Sequence, residues 1–377
     1  MSGPRVEIVV GRYRPDRDGV SGYVERLVEA LAAVDVTAEV TEWPGLRFRP
    51  RRGTDLVHVQ FAPSAYGYSG GIGALPLRCR VPVVTTLHEY GWWTWQPLGD
   101  RLPGVAAVQD GLARLAERTG RWDRETLLLA PSSRRLVVTG RGHADVVRRR
   151  LGREAQVIPI GANVGVAFAG DRAAARRDLG VPPEDRLVAF FGFVHPVKGL
   201  RYLADAVAQL RREGRTRLRV VVVGGWRSLA WPDDEADAFV AELREHVRQA
   251  GLDDDAVRFT GFVDERTASC WLRAADVAAL PFTHGVTAKS GSLLTCWAHE
   301  LPTVATDPPD GPDPDLAGAA LGATVRDVPT LVTALRRLFD DGELAARLVR
   351  VANERMAARD WSVVARAHAE LYRAVLA

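Results

Sequence analysis

The sequence predicts an α/β chain of two doubly wound parallel-sheet lobes facing a central cleft, and three observations carry that prediction. Short β-branched runs alternate with amphipathic helical patterns, as they do where crossover helices cover a parallel sheet. The alternation lapses once, between Pro159 and Asp185, and then resumes. A chain of 377 residues also exceeds what one core organises, so two to three domains are expected.

In the first lobe the expected strands are Val6 to Val10, Ala38 to Thr41, Leu56 to Gln60, Val81 to Leu87, Leu136 to Thr139 and Gln156 to Pro159. Between them, Gly22 to Ala33 sets Val24, Leu27, Val28 and Leu31 on one helical face, and Val105 to Leu115 repeats that spacing. From Pro159 to Asp185 the pattern loosens into glycine, alanine and arginine with Pro182 and Pro183, which reads as a hinge. The second alternation has strands at Leu187 to Phe191, Leu218 to Val223, Val257 to Phe259, Val277 to Leu280 and Thr303 to Thr306. Its helices are Leu200 to Arg212, Ala236 to Ala250, Glu265 to Ala274 and Gly291 to His299, followed by Val328 to Asp341 and Glu343 to Ala358. Finally, Trp361 to Leu376 aligns Val364, Ala367, Leu371 and Val375 and must dock by that face. The expected domains are therefore 1–168, 169–358 and the helix 359–377.

Composition narrows the function. The net charge of +3 is too small to create a general nucleic-acid field, so no nucleic-acid partner is expected. Three cysteines, Cys79, Cys270 and Cys296, offer no Cys-x-x-Cys pair and no disulfide framework, which fits a reducing cytoplasm. No run approaches the ~20 apolar residues of a membrane span, and Val6 to Val10 is too short for a signal-peptide core. The arginines at 148, 149, 150 and 153 read as a solvated helix end rather than a membrane patch, leaving at most a weak peripheral membrane contact. Either a monomer or a homodimer is compatible with these properties.

Forty-eight of the fifty basic residues are arginine, and only Lys198 and Lys289 are lysine. Both fall in loops that lead from a strand into a helix of the second lobe. Lys198 ends Phe191-Gly192-Phe193-Val194-His195-Pro196-Val197-Lys198, and an ammonium at the positive end of a helix suits an anion, phosphate first. Lys289 lies in Pro281-Phe282-Thr283-His284-Gly285-Val286-Thr287-Ala288-Lys289-Ser290-Gly291-Ser292, where serine hydroxyls and glycine N–H groups make a second phosphate cradle. Either lysine alone reads equally well as a solvated surface residue.

Phe191-Gly192 through Lys198-Gly199, Val257 to Val263, Ala275-Asp276-Val277 to Pro281 and Leu301 to Thr306 resemble the donor lobe of glycosyltransferase family 4. These are retaining enzymes of the GT-B fold, built of two Rossmann-like lobes. In the first lobe Gly19-Val20-Ser21-Gly22, Asp55 to Gln60, Thr86-Leu87-His88 and Ile158 to Gly161 follow in that family's order. The resemblance implies an acceptor-binding first lobe, a nucleotide-sugar-binding second lobe and a last helix that crosses back to brace the first. It implies that Lys198 binds the donor's diphosphate and that Gly19, Val20, Ser21 and Gly22 close on it from the first lobe. It also implies that the loop after Pro281 wraps phosphates and sugar, with Lys289, Ser290, Gly291 and Ser292 on the phosphates and His284, Gly285 and Thr287 by the sugar. His88 then lies beside the sugar and the acceptor, so His88, Lys198 and Lys289 form the expected catalytic set. Gly192, Phe193, Phe262, Val263 and Thr295 fall where the family holds the nucleotide.

Two departures stand out. The family commonly has an arginine where this chain has Phe193, and its pair of glutamates spaced eight apart aligns with Thr287 and Thr295. A lysine in place of a carboxylate favours diphosphate over a bare sugar hydroxyl.

Without the resemblance, His88 ending a buried strand reads as a hydrogen-bonded structural residue, and His58 on the neighbouring strand is taken as structural. Glu89, Tyr90, Trp92, Trp93 and Trp95 follow His88 and offer aromatic faces to an acceptor, although tryptophans also fill cores. No His-x-His, His-Glu-x-x-His or paired-aspartate loop is present, so no metal and no cofactor are expected, the nucleotide sugar being a co-substrate. The expected activity is transfer of a sugar from a nucleoside-diphosphate sugar to a hydroxyl of a small-molecule or glycan acceptor, with retention. The rivals are a sugar-nucleotide epimerase or hydrolase on the same scaffold, and a catalytically silent partner that binds a nucleotide sugar.

Overall fold

The computed structural model describes residues 3–95, 105–229 and 231–377. It divides into two compact units, Met1–Ile160 together with Trp361–Ala377, and Gly161–Asp360.

The first unit runs β1 (Arg5–Val10), α1 (Gly19–Ala32), β2 (Thr37–Glu42), β3 (Leu56–Phe61), β4 (Val83–Leu87), α2 (Val105–Glu117), α3 (Leu129–Ser132), β5 (Arg135–Val138), α4 (Arg141–Leu151) and β6 (Gln156–Val157). Its strands lie in the order β2-β1-β3-β4-β5-β6 and every pairing is parallel. Strand β3 is buried at every position, as a central parallel strand must be when helices cover both faces. Its two polar residues, His58 and Gln60, therefore need partners inside the fold.

The second unit runs α5 (Arg172–Leu179), β7 (Arg186–Phe191), α6 (Leu200–Arg212), β8 (Leu218–Val223), α7 (Asp233–Gln249), β9 (Val257–Gly261), α8 (Glu265–Ala274), β10 (Val277–Leu280), α9 (Gly291–Ala298), β11 (Thr303–Asp307), β12 (Leu321–Thr324), α10 (Val328–Asp340) and α11 (Gly342–Ala357). The order is β12-β11-β10-β7-β8-β9, again parallel. From β7 the chain moves outward through β8 to β9, then returns to the other side of β7 with β10. The chain thus crosses to opposite sides after β7 and after β10, and the crevice at such a switch point is where open α/β sheets bind ligands. Helix α12 (Trp361–Leu376) belongs to the first unit, where Trp361 packs on Tyr23 of α1 at 5.4 Å between ring centroids.

Three elements differ from expectation. The units part after Ile160 rather than at 168/169, because α8 holds the following stretch. Gly165 N–H donates to Glu265 Oε1 at 2.9 Å, and the N–H groups of Ala167 and Phe168 both donate to Ser269 Oγ at 3.1 Å. The stretch read as a hinge contains α5, capped by Asp171, which accepts from Ala174 N–H at 2.8 Å. Its Arg176 is buried, donating to Asp276 at 2.7 Å and to Ala274 O at 3.0 Å. Finally β12, Leu-Gly-Ala-Thr, adds an edge strand with no periodic signal. Among the described residues no helix is long and apolar enough to cross a membrane.

Candidate functional site

The switch point of the second unit is built from the two lysine-bearing loops. After β7 the chain makes a short 3-10 turn, Pro196–Lys198, capped by His195, whose Nδ1 accepts from Val197 N–H at 3.3 Å. Gly199 then turns the chain into α6 at φ 67, and a Cβ there would lie 1.9 Å from Pro281 O, so only glycine fits. The two loops are tied directly: Thr283 N–H donates to Val197 O at 2.9 Å. Gly192 sits against Ser292, where a Cβ would come 2.6 Å from Oγ.

This seating places Lys198 Nζ 3.7 Å from the centroid of the Phe282 ring. Among the described residues its ammonium has no hydrogen bond and no ion pair. Burial pushes its pKa from 10.5 down to about 8. A ring face returns about 2 kcal/mol to a dehydrated cation and supplies no counter-charge. His195, packed at a tilt against Trp231 with ring centroids 4.6 Å apart, has its pKa lowered as well, first by burial and then by Lys198. Among the described residues the crevice thus holds a cation without a counter-charge.

The second loop is held in shape by its own backbone. Val286 N–H donates to Thr306 O at 2.8 Å, Ala288 N–H to Asp313 Oδ2 at 2.9 Å and Ser290 N–H to Thr287 O at 2.9 Å. Ser290 caps α9, its Oγ accepting from Leu293 N–H, so Gly291 and Ser292 form the helix's first turn. Lys289 and His284 are exposed, and Gly285, Thr287, Ser290, Gly291 and Ser292 are half-buried.

Of the residues expected at the nucleotide, Phe262 is 63% exposed just beyond β9, while Gly192, Phe193 and Val263 are half-buried. Thr295 is 0% exposed, and its hydroxyl has no hydrogen-bond partner among the described residues. It presents no atom to a nucleotide here, because Leu293 to Trp297 are buried on every side of α9.

In the first unit, Gly19, Val20, Ser21 and Gly22 are not a loop but the first turn of α1. Asp18 caps it, accepting from both Ser21 N–H and Ser21 Oγ at 2.8 Å, and Ser21 is fully buried. His88, at the end of β4, packs edge-on against Tyr23 at 4.9 Å, and its Nε2 lies 2.8 Å from Gln60 Oε1.

The stretch after His88 is divided. Trp92 is 61% exposed, Glu89, Trp93 and Trp95 are half-buried, and Tyr90 is 3% exposed with its hydroxyl donating to Asp123 at 2.8 Å. Tyr90 is thus a core residue rather than an acceptor contact. Buried Glu125 shapes this loop, accepting N–H bonds from Gly91 and Trp93 and pairing with Arg150 at 3.5 Å. Its pKa is raised by burial, against the opposing pull of those N–H groups and of Arg150. Arg153 donates to the carbonyls of Ala130, Pro131 and Ser133. Arg150 and Arg153 are therefore structural, which corrects the solvated helix end for those two, whereas Arg148 and Arg149 are exposed as expected.

Sequence reasoning missed Phe282, Gln60, Glu125 and Arg150. Gln60 carried a signal, two residues from His58 on one face of β3. Among the described residues no group of three or more His, Cys, Asp or Glu is placed to hold a metal ion.

Residues 185–341 match the family described as Glycosyl transferases group 1. The chain is 30% identical over 335 residues to D-inositol 3-phosphate glycosyltransferase 2 of Catenulispora acidiphila, covering 84% of this chain and 70% of that protein. Its fold is similar to sucrose-phosphate synthase of Thermosynechococcus elongatus, with TM-score 0.69, 19% identity and 98% of each chain covered. It is also similar to Anabaena Alr3699/HepE in complex with UDP-glucose, with TM-score 0.68, 16% identity, and 98% of this chain and 99% of that one covered.

Proposed function

The chain belongs to the group 1 glycosyl transferases, has the GT-B fold and is a glycosyltransferase, and on that premise we propose that it transfers a sugar from a nucleoside-diphosphate sugar to a hydroxyl acceptor with retention and without a metal. The observation that carries this reading is the dehydrated ammonium of Lys198, unpaired among the described residues at the switch point of the second unit. A diphosphate is the anion whose charge and size suit that ammonium together with the α9 N-terminus and Lys289. Phe262 offers an exposed face for the base.

In the reaction the anomeric carbon exchanges its bond to the phosphate oxygen for one to the acceptor oxygen. The electron pair leaves with the diphosphate, whose departing oxygen takes up the proton that the acceptor hydroxyl loses. Charge on the departing diphosphate grows toward the transition state, and fixed cations and N–H groups stabilise it there more than in the ground state. Retention is supported by the resemblance of the donor-lobe motifs, and the cytoplasmic setting by three free cysteines. The relatives' names lend no support to an epimerase, a hydrolase or a silent partner.

UDP-glucose, which the Anabaena protein binds, and inositol 3-phosphate, from the name of the Catenulispora relative, are the first pair to try. NMR of the anomeric proton in the presence of EDTA is expected to show acceptor-dependent loss of an α-linked donor and an α-linked product. A β-linked product would overturn retention, inhibition by EDTA would overturn metal independence, and donor loss without acceptor would favour the hydrolase.

A further inference from the structure

We propose that Gln60 is a positioning residue for His88: its side-chain oxygen accepts the Nε2 hydrogen and fixes the imidazole in one orientation and one tautomer, and α12 steadies Gln60 through His58. The use of that imidazole in transfer rests on the reading above, whereas the geometry does not.

Gln60 and His58 lie two residues apart on β3 and are fully buried, and in the sheet Gln60 stands opposite Thr86 of β4. The amide nitrogen of Gln60 lies 3.3 and 3.2 Å from Nδ1 and Nε2 of His58, which leaves its oxygen for His88, 2.8 Å from Nε2. An amide oxygen only accepts, so His88 Nε2 carries the hydrogen and Nδ1 is the lone-pair nitrogen. A neutral imidazole so fixed offers its basic atom in one direction only.

His58 is itself clamped, with Nδ1 2.7 Å from Tyr372 Oη of α12 and Nε2 2.7 Å from Thr86 Oγ1. His368, one turn before Tyr372, donates from Nδ1 to Val364 O at 2.9 Å and turns Nε2 toward Tyr23 Oη at 3.5 Å. Burial, with repulsion from His368 and His88, holds His58 well below the usual imidazole range, and burial lowers His368 to about 4. His58 and His368 are therefore uncharged near neutral pH, and both are fully buried. His88, at the strand terminus, is the one histidine of the three that is only half-buried.

The test is nitrogen NMR of the full chain labelled with 15N-histidine, the His88 signals being assigned by their loss in His88→Gln. The wild type is expected to show a protonated Nε2 and an unprotonated Nδ1. Gln60→Met should give a tautomer mixture, and Gln60→Glu, which keeps an acceptor, should restore the wild-type form. In Gln60→Met, kcat for sugar transfer should fall about tenfold or more with the donor KM within about twofold. A wild-type His88 with the hydrogen on Nδ1 would overturn the proposal, and so would ring signals unchanged in Gln60→Met. Should His88→Gln transfer as fast as wild type while the ring signals behave as expected, the catalytic use of His88 fails and the positioning by Gln60 stands.

Discussion

Two junctions of this chain share a plan and differ in charge. The segment after β1 and the segment after β7 each follow the first strand of a parallel sheet, and each enters a helix at a glycine. At the start of α1 the chain supplies its own anion, Asp18, which takes the Ser21 N–H and hydroxyl at 2.8 Å. Before α6 it supplies the opposite, a lysine 3.7 Å above a ring, with no counter-charge among the described residues. A helix start with glycines is common to both. What distinguishes the second is its unbalanced charge, which costs free energy and which, on the function proposed above, a bound diphosphate would offset.

Lys198→Ala breaks the comparison most directly, and kcat/KM for transfer should fall at least a hundredfold, about 3 kcal/mol. Gly199→Ala comes next. The new methyl would meet Pro281 O at 1.9 Å in a backbone at φ 67, so urea denaturation should show a loss of about 2 to 4 kcal/mol. Should that variant melt like wild type, the loops are not locked as described.

The depressed pKa of Lys198 sharpens the contrast through pH. Between about 8 and 10.5 the unfolded chain holds a proton that the folded lysine has lost, so this group adds stability as pH rises through that window. Anion binding moves the other way. Calorimetric affinity for UDP should fall above about pH 8, by up to about tenfold per unit, and Lys198→Arg should flatten the fall. The smallest effect belongs to the other junction. Asp18→Ala removes a cap and should cost about 1 kcal/mol in thermal melts, leaving UDP affinity within about twofold. A clear rise in affinity would mean that the α1 turn also meets the diphosphate.

Most strands were legible because parallel strands buried on both faces read as apolar runs, Val220 to Val223 and Val277 to Leu280 being the plainest. Helix α5 was not, since Arg172 to Leu179 carries its arginines inward and outward alike and Arg176 is buried by hydrogen bonds rather than by apolar character. At the site, the two lysines could be singled out by their rarity, but not the difference between them. Lys198 lies over the ring of Phe282, far along the chain, whereas Lys289 is exposed. Likewise His58 looked structural and His88 functional, yet a glutamine joins them and a tyrosine from the last helix secures the pair. Such bonds across the sequence leave no local pattern. Tyr90 and Thr295 erred the other way, because position in a motif says nothing of which face the fold buries.

Calorimetric titration of UDP, GDP, ADP and dTDP into the wild type and into Lys198→Ala and Lys289→Ala tests the central claim most directly. One nucleotide should bind the wild type, and Lys198→Ala should weaken it by about 1.5 to 3 kcal/mol. Equal affinity in wild type and Lys198→Ala, or no binding of any of the four, would contradict the account.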